Sequence, residues 1–252
     1  MGQVELSFVI PAYNEEAFIE DTLGTLDEVV KDKKLPYEIV VVNDGSKDKT
    51  LARAMTYASR NGHVKVVTYP LNVGKGHAVK TGFLQATGDV VVFADGDMDV
   101  DLRQVSRYID ALKHGDIAIA SKWHPDSSVN MPLSRKIMSH SFHVLVRLLV
   151  GVQLRDTQAG LKAMRKSAFM NIFRRLAVKR YAFDVELLAV AKLYGLRIVE
   201  LPTRIKIDES FNVKDLFRMF VDLLGIAYRY RVLHWYQRPL PPAECTGQTM
   251  GF

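Results

Sequence analysis

Apolar positions along this chain of 252 residues change their period several times. Short β-branched runs stand at residues 6–10, 38–42, 64–69, 90–94 and 117–120, each bounded by turn residues. Runs of that length without alternation predict strands buried on both faces, as in a parallel sheet. Between them apolar residues recur at helical spacing: Ile19, Leu23, Leu26 and Val30; Leu51, Met55 and Ala58; Ala78, Gly82 and Ala86; Leu102, Val105, Ile109 and Leu112. Strand and helix alternating through residue 122 predict an α/β fold with a Rossmann-like, doubly wound, mostly parallel sheet.

Beyond residue 122 the pattern changes. A loop with Pro125 and Pro132 covers 123–133, and a helix is expected over about 135–150. A loop then carries Asp156-Thr157-Gln158-Ala159-Gly160, a helix starts near Phe183-Asp184, and a strand covers 196–201. A long helix is expected from about 213 to 236, ended by Pro239, Pro241 and Pro242, with a disordered tail over 239–252. In that helix Lys214, Arg218, Asp222 and Arg229 mark one polar stripe. The remainder is rich in Phe217, Phe220, Leu224, Tyr228 and Trp235. Broad apolar faces with aromatics and arginines belong to helices lying in a membrane interface, packing on the domain, or meeting a membrane-spanning partner subunit. Helix 135–150, with Phe142, Leu145, Leu148 and Leu149, is placed beside it. No stretch approaches the roughly 18 uncharged apolar residues of a spanning helix.

Composition narrows the partners. The net charge of +6 favours anions. The basic residues are not interleaved with aromatics along a groove-reading element, which disfavours nucleic acid. One cysteine, Cys245, excludes a disulfide framework or zinc cluster and fits a reducing compartment.

Ligands of an open α/β sheet sit at the carboxyl ends of its strands. The first strand ends in Pro11-Ala12-Tyr13-Asn14-Glu15, the second in Asn43-Asp44-Gly45-Ser46, and the fourth in Asp95-Gly96-Asp97-Met98-Asp99. Carboxylates crowded on one edge repel one another unless a cation or ligand offsets them. Asp95 and Asp97, one residue apart around a permissive glycine, can present oxygens to Mg2+ or Mn2+, which also bridge diphosphate oxygens. Asp99 can add another; Asp101 reads as a helix N-cap. Asp44 suits a ribose or base edge, with an Asx turn through Asp44-Gly45 as the alternative. The segment Leu71-Asn72-Val73-Gly74-Lys75-Gly76-His77 fits no nucleotide-loop spacing. It remains a glycine-rich helix entry with Lys75 at an anion-favouring N-terminus.

In this order, Pro11-Ala12-Tyr13-Asn14-Glu15, Asn43-Asp44-Gly45-Ser46, Asn72-Val73-Gly74-Lys75-Gly76 and Asp95-Gly96-Asp97 resemble glycosyltransferase family 2 in its GT-A fold. Asp156-Thr157-Gln158-Ala159-Gly160-Leu161-Lys162 and Tyr181-Ala182-Phe183-Asp184-Val185-Glu186-Leu187-Leu188 are similar to the dolichyl-phosphate hexose synthases. They look closer to the β-glucosyltransferase branch than to the mannose synthases. The resemblance covers roughly residues 5–230 and divides the chain by expectation. A nucleotide-sugar-binding half would span 1–122 and an acceptor-binding half 123–212 of the same domain, with an amphipathic interfacial helix over 213–238.

The resemblance implies an inverting hexose transfer from a nucleotide diphosphate sugar to dolichyl or polyprenyl phosphate, at the cytoplasmic face of a membrane. UDP-glucose or another UDP-hexose is the favoured donor, GDP-mannose the second. Pro11, Tyr13, Glu15 and Asp44 would line the nucleotide, Asp95 and Asp97 would hold nucleotide and metal, and Arg135 and Ser139 would meet the acceptor phosphate. Lys122 stands where relatives often carry arginine and lacks a guanidinium's bidentate grip. Asn43 leaves one carboxylate fewer than the Asp-Asp-Gly-Ser version.

A phosphate acceptor is already largely dianionic at neutral pH and needs no base, whereas a sugar hydroxyl does. Lys122 and Arg135, with Lys136, Arg147, His140 and His143, supply cations for it. Asp156 and Asp184 are candidates for sugar hydroxyls, or for the base of a rival transferase acting on a hydroxyl. Asp184 and Glu186, two apart on a helix, cannot share a face. The non-enzyme rival is a nucleotide-sugar- or nucleic-acid-binding module.

Overall fold

A computed structural model describes residues 4–31, 35–96, 99–206 and 213–239. Asp97 and the tail from residue 240, with Pro241, Pro242 and Cys245, lie outside the described residues. The strands are β1 (Leu6–Ala12), β2 (Tyr37–Asp44), β3 (Val64–Tyr69), β4 (Val90–Ala94), β5 (Ile117–Ser121), β6 (Ser128–Asn130), β7 (Leu161–Arg165), β8 (Ile198–Pro202) and β9 (Arg204–Lys206). The α-helices are α1 (Ile19–Lys31), α2 (Thr50–Arg60), α3 (Lys75–Gln85), α4 (Val105–Ala111), α5 (Leu133–Leu149), α6 (Lys166–Arg175), α7 (Phe183–Leu193) and α8 (Val213–Ala227).

Seven strands form one sheet in the order β3-β2-β1-β4-β7-β5-β8. All pairs are parallel except those of β7, which runs antiparallel to both β4 and β5. The expected α/β class with its mostly parallel sheet is therefore present. Residues 161–165 carry no strand assignment in the sequence, where Lys162 and Arg165 interrupt the apolar run. Leu161, Ala163 and Met164 are nonetheless fully buried, and the Lys162 ammonium is neutralised where it enters the core. Helix α6 and the small parallel pair β6–β9 also lacked a sequence signal.

Alternate side chains fill opposite faces of the sheet. Phe8, Ile10, Val92 and Ala94 pack under α1, α2 and α4. Val9, Val91, Phe93 and Met164 pack under α3, α5, α6 and α7. On this second face the rings of Phe83 and Phe173 stack with centroids 3.7 Å apart. Gly82 brings α3 down onto β1, since a Cβ there would lie 2.2 Å from Val9 Cγ1.

The long helix expected to residue 236 does not run straight. It leaves α-geometry after Ala227, passes through a π turn over Tyr228–Val232, and bends at His234, which is left-handed with φ 47°. A short 3-10 turn, Trp235–Gln237, follows. The bend turns Tyr236 inward, where its hydroxyl donates to Glu186 Oε1 at 2.5 Å. Arg229 donates to the same oxygen at 3.3 Å. Glu186 Oε2 accepts the backbone N–H groups of Ala177 and Val178 at 3.0 and 2.8 Å. A carboxylate with no exposed surface requires such partners, and the broken helix supplies them.

Gly82→Ala is expected to cost about 1–3 kcal/mol through overpacking against Val9. It should appear as a lower urea midpoint with an unchanged slope.

Candidate active site

The loops after β1 and β2 are laced together at the carboxyl edge of the sheet. Asn14 stands at φ 58°, a conformation its short polar side chain tolerates. Its N–H donates to Ser46 Oγ at 3.0 Å and its Oδ1 accepts Lys47 N–H at 2.9 Å. Glu15 N–H donates to Thr50 Oγ1 at 2.7 Å. These bonds fix Pro11, half-buried Glu15 and the 39% exposed Tyr13 beside the end of β4. A Cβ on Gly96 would lie 3.4 Å from Pro11 O and 3.5 Å from Glu15 Cγ.

Asp44 is buried and both its oxygens are engaged. Oδ1 accepts Val73 N–H at 2.8 Å and Oδ2 accepts Gly74 N–H at 2.9 Å. The carboxylate thus clamps the entry of α3 instead of closing an Asx turn, and each oxygen keeps a lone pair for a ligand. The glycines of that entry serve close packing: a Cβ at Gly74 or Gly76 would come within 2.5 Å of Lys179 O or Phe183 Cβ.

Four charged side chains form a chain across the centre. Lys75 Nζ lies 2.8 Å from Asp95 Oδ1 and 3.6 Å from Asp184 Oδ2. Lys162 Nζ lies 2.8 Å from Asp184 Oδ1 and donates to Ala159 O at 2.6 Å. Burial alone would raise the Asp184 carboxyl, but Lys162 and Lys75 outweigh it and hold the pKa below the ordinary value. Asp95 fits here because Gly160 has no side chain; a Cβ would stand 2.0 Å from Asp95 Oδ2. Lys75 is therefore engaged by carboxylates, and Asp184 is a neutralised core anion. Lys162 and Gly160 were not singled out in the sequence, although both lie in the quoted motif.

A second pair closes the end of β5. Lys122 Nζ donates to both oxygens of Asp156, at 2.9 and 3.0 Å, and Lys122 N–H donates to the same carboxylate at 3.0 Å. Both side chains are buried. Two residues expected to meet different substrates thus hold each other. Arg135 and Ser139 are half-buried, one turn apart near the start of α5. Asp101 caps the turn at Leu102 by accepting Arg103 N–H at 3.1 Å, as expected. Asp99 lines a cleft of about 300 Å³ with Arg204 and Lys206.

Among the described residues no three histidine, cysteine or carboxylate groups form a metal cage. Mg2+ needs none, because one or two carboxylates with substrate phosphates suffice. Asp95 fits such a donor set, with hard oxygens at a strand end and a side chain 24% exposed.

Asp184→Asn removes the charge facing buried Lys162 and is expected to cost about 3–5 kcal/mol at pH 7. A lowered folded pKa means this contribution is complete above the unperturbed value of 3.8 and fades as pH falls through the folded one. The urea midpoints of wild type and variant should therefore stay apart down to about pH 4 and draw together only as pH falls well below it.

The chain is similar to known proteins along most of its length. The model described as "Glycosyl transferase family 2" matches residues 7–173. Dolichyl-phosphate beta-glucosyltransferase of Drosophila melanogaster is 36% identical over 253 residues, covering 92% of this chain and 77% of its own. The Homo sapiens protein of the same name is 33% identical over 250 residues, with 92% and 77% covered. Among solved structures, glucosyl-3-phosphoglycerate synthase from Mycobacterium tuberculosis, complexed with Mn2+, uridine diphosphate and phosphoglyceric acid, aligns with TM-score 0.68. At 20% identity, covering 94% of this chain and 80% of that one, it shows a shared fold.

Proposed function

As the chain belongs to glycosyl transferase family 2, we propose that it transfers a hexose from a nucleotide diphosphate sugar to dolichyl or polyprenyl phosphate. The observation that carries this reading is the extent of the likeness. Enzymes named for dolichyl phosphate and glucose match 92% of the chain, so the likeness takes in the acceptor-side half as well as the nucleotide-binding one. UDP-glucose is the donor we assign first, and GDP-mannose the alternative.

The ion pairs favour a phosphate acceptor over a hydroxyl. Asp184 is held by Lys162 and Lys75, and Asp156 by Lys122. Asp184, with a lowered pKa and two ammonium groups beside it, is a poor proton acceptor, and both Asp156 oxygens are taken by Lys122. A phosphate oxygen requires none. We assign Arg135 and Ser139 to hold that phosphate in line with the anomeric carbon. Its oxygen forms the new bond to that carbon as the carbon–oxygen bond to the diphosphate breaks. Lys122 takes part as half of its pair with Asp156. Pro11, Tyr13, Glu15 and Asp44 line the base and ribose in this reading.

Asp95 and Asp97, with Asp99 beside them, would hold Mg2+ or Mn2+, which when bound offsets the charge of the departing diphosphate. Asp97→Ala should abolish transfer from UDP-glucose to a short polyprenyl phosphate with Mn2+ supplied. The unfolding free energy from urea titration should stay within about 0.5 kcal/mol of wild type. Full activity of this variant would overturn the metal assignment.

Membrane contact is assigned to α5 and α8. No helix among the described residues is long and apolar enough to cross a membrane. The two helices pack together yet expose Leu133, Ile137, Leu148, Phe217 and Leu224. We place this face on the cytoplasmic surface of a membrane, or against a membrane-spanning subunit. Phe217→Asp with Leu224→Asp should lower flotation with phosphatidylcholine vesicles at least tenfold, since each lost apolar side chain removes roughly 1.5–3 kcal/mol of burial. Unchanged flotation would transfer the face to a protein partner.

A further inference from the structure

A cavity of about 430 Å³ opens between α5, the segment 153–155 and edge strand β8, outside the carboxylate-lined donor edge. His140, His143, Arg147 and Arg155 line it together with Trp123 and Glu200. Glu200 is the one acid of this wall, and its Oε1 already accepts the backbone N–H groups of Arg155 and Asp156 at 2.8 and 3.2 Å. Neither guanidinium has an ion-pair or hydrogen-bond partner among the described residues. The neighbouring Lys122–Asp156 pair is neutral as a unit. Two guanidiniums and two imidazoles thus line one hollow, with the charge of the guanidiniums uncompensated among the described residues.

Burial, reinforced by Arg147, His140 and Lys122 against Asp156, lowers the His143 imidazole below its ordinary value. An oxyanion in the hollow would relieve that repulsion. Two guanidinium forks suit the planar, bidentate grip that phosphate oxygens accept. Trp123, edge-on to His140 with centroids 5.7 Å apart, supplies an apolar wall. The hollow has the size of a small-molecule site, with room for a phosphate and the group esterified to it.

The position on α5 selects the carrier of that phosphate. Leu133, Ile137, Val144 and Leu148, between 41% and 72% exposed, recur at spacings of four, seven and four and form one apolar stripe. His140 and Arg147, seven apart, occupy the adjacent face, with His143 next to them. A phosphate meeting these side chains would have its ester chain beside the exposed apolar stripe.

We infer that this hollow binds the phosphate of a lipid phosphoester, gripped by Arg147 and Arg155 and flanked by His140 and His143. The phosphate belongs either to the acceptor lipid, captured here before it passes to Arg135 and Ser139, in which case the inference rests on the proposed reaction, or to a bilayer phospholipid. Arg147→Gln with Arg155→Gln separates the sources. Both residues are exposed, so the double variant keeps the fold.

Titration with inorganic phosphate should move the imidazole resonances of His140 and His143 saturably in the wild type. The double variant should require at least tenfold more phosphate, and Arg147→Lys should fall between them. This arm does not depend on enzymatic activity. If the acceptor is the source, KM for a short polyprenyl phosphate in detergent rises about tenfold in the double variant while kcat holds. If a phospholipid is the source, that KM is unchanged, and preferential flotation with phosphatidic acid-doped over pure phosphatidylcholine vesicles disappears. No saturable histidine shift in the wild type overturns the site. A shift with neither lipid readout changed reduces it to an adventitious anion only and overturns the lipid assignment.

Discussion

The alternation of acid and base through Asp95, Lys75, Asp184 and Lys162 holds this centre together. It joins the end of β4, the first residue of α3, the first turn of α7 and the middle of β7. Lys162 and Asp184 are almost inaccessible, so neither could stay ionised without the other. Their mutual neutralisation admits a lysine-bearing strand to the centre of the sheet. Gly160 makes room for Asp95 at the open end of the same chain, where charge changes from structural to chemical use.

The carboxyl edge of the sheet carries a surplus of carboxylates, while helix α5 carries cations. Opposite signs on the two sides suit the proposed reaction, in which both substrates are anionic. Lys75, Lys122 and Lys162 do not contribute free charge because each already faces aspartate. Unpaired positive charge lies farther along α5 and at Arg155.

Periodicity revealed the parallel strands and most of their helices, since short runs of four to six mostly apolar, β-branched residues between turns have few other uses. Strand β7 was hidden because its identity depends on a counter-charge more than twenty residues away: Lys162 reads as a breaker until Asp184 is placed beside it. The bend at His234 was hidden for a similar reason, since Glu186 calls Tyr236 inward across 50 residues. At the site, strand ends located Asp44, Asp95 and the Pro11–Glu15 segment correctly in space. Spacing could not foresee that Lys122 and Asp156 would hold each other.

The sheet order has a consequence for the order of assembly. Strand β7 separates β4 from β5, so when the ribosome has delivered only the first 122 residues, β5 has no neighbour and β4 has one bare edge. Those open N–H and C=O groups face solvent, or any other nascent chain, until some forty more residues emerge. Two halves that read as separable along the chain are therefore joined only when β7 enters between them, and β8 then completes the far edge.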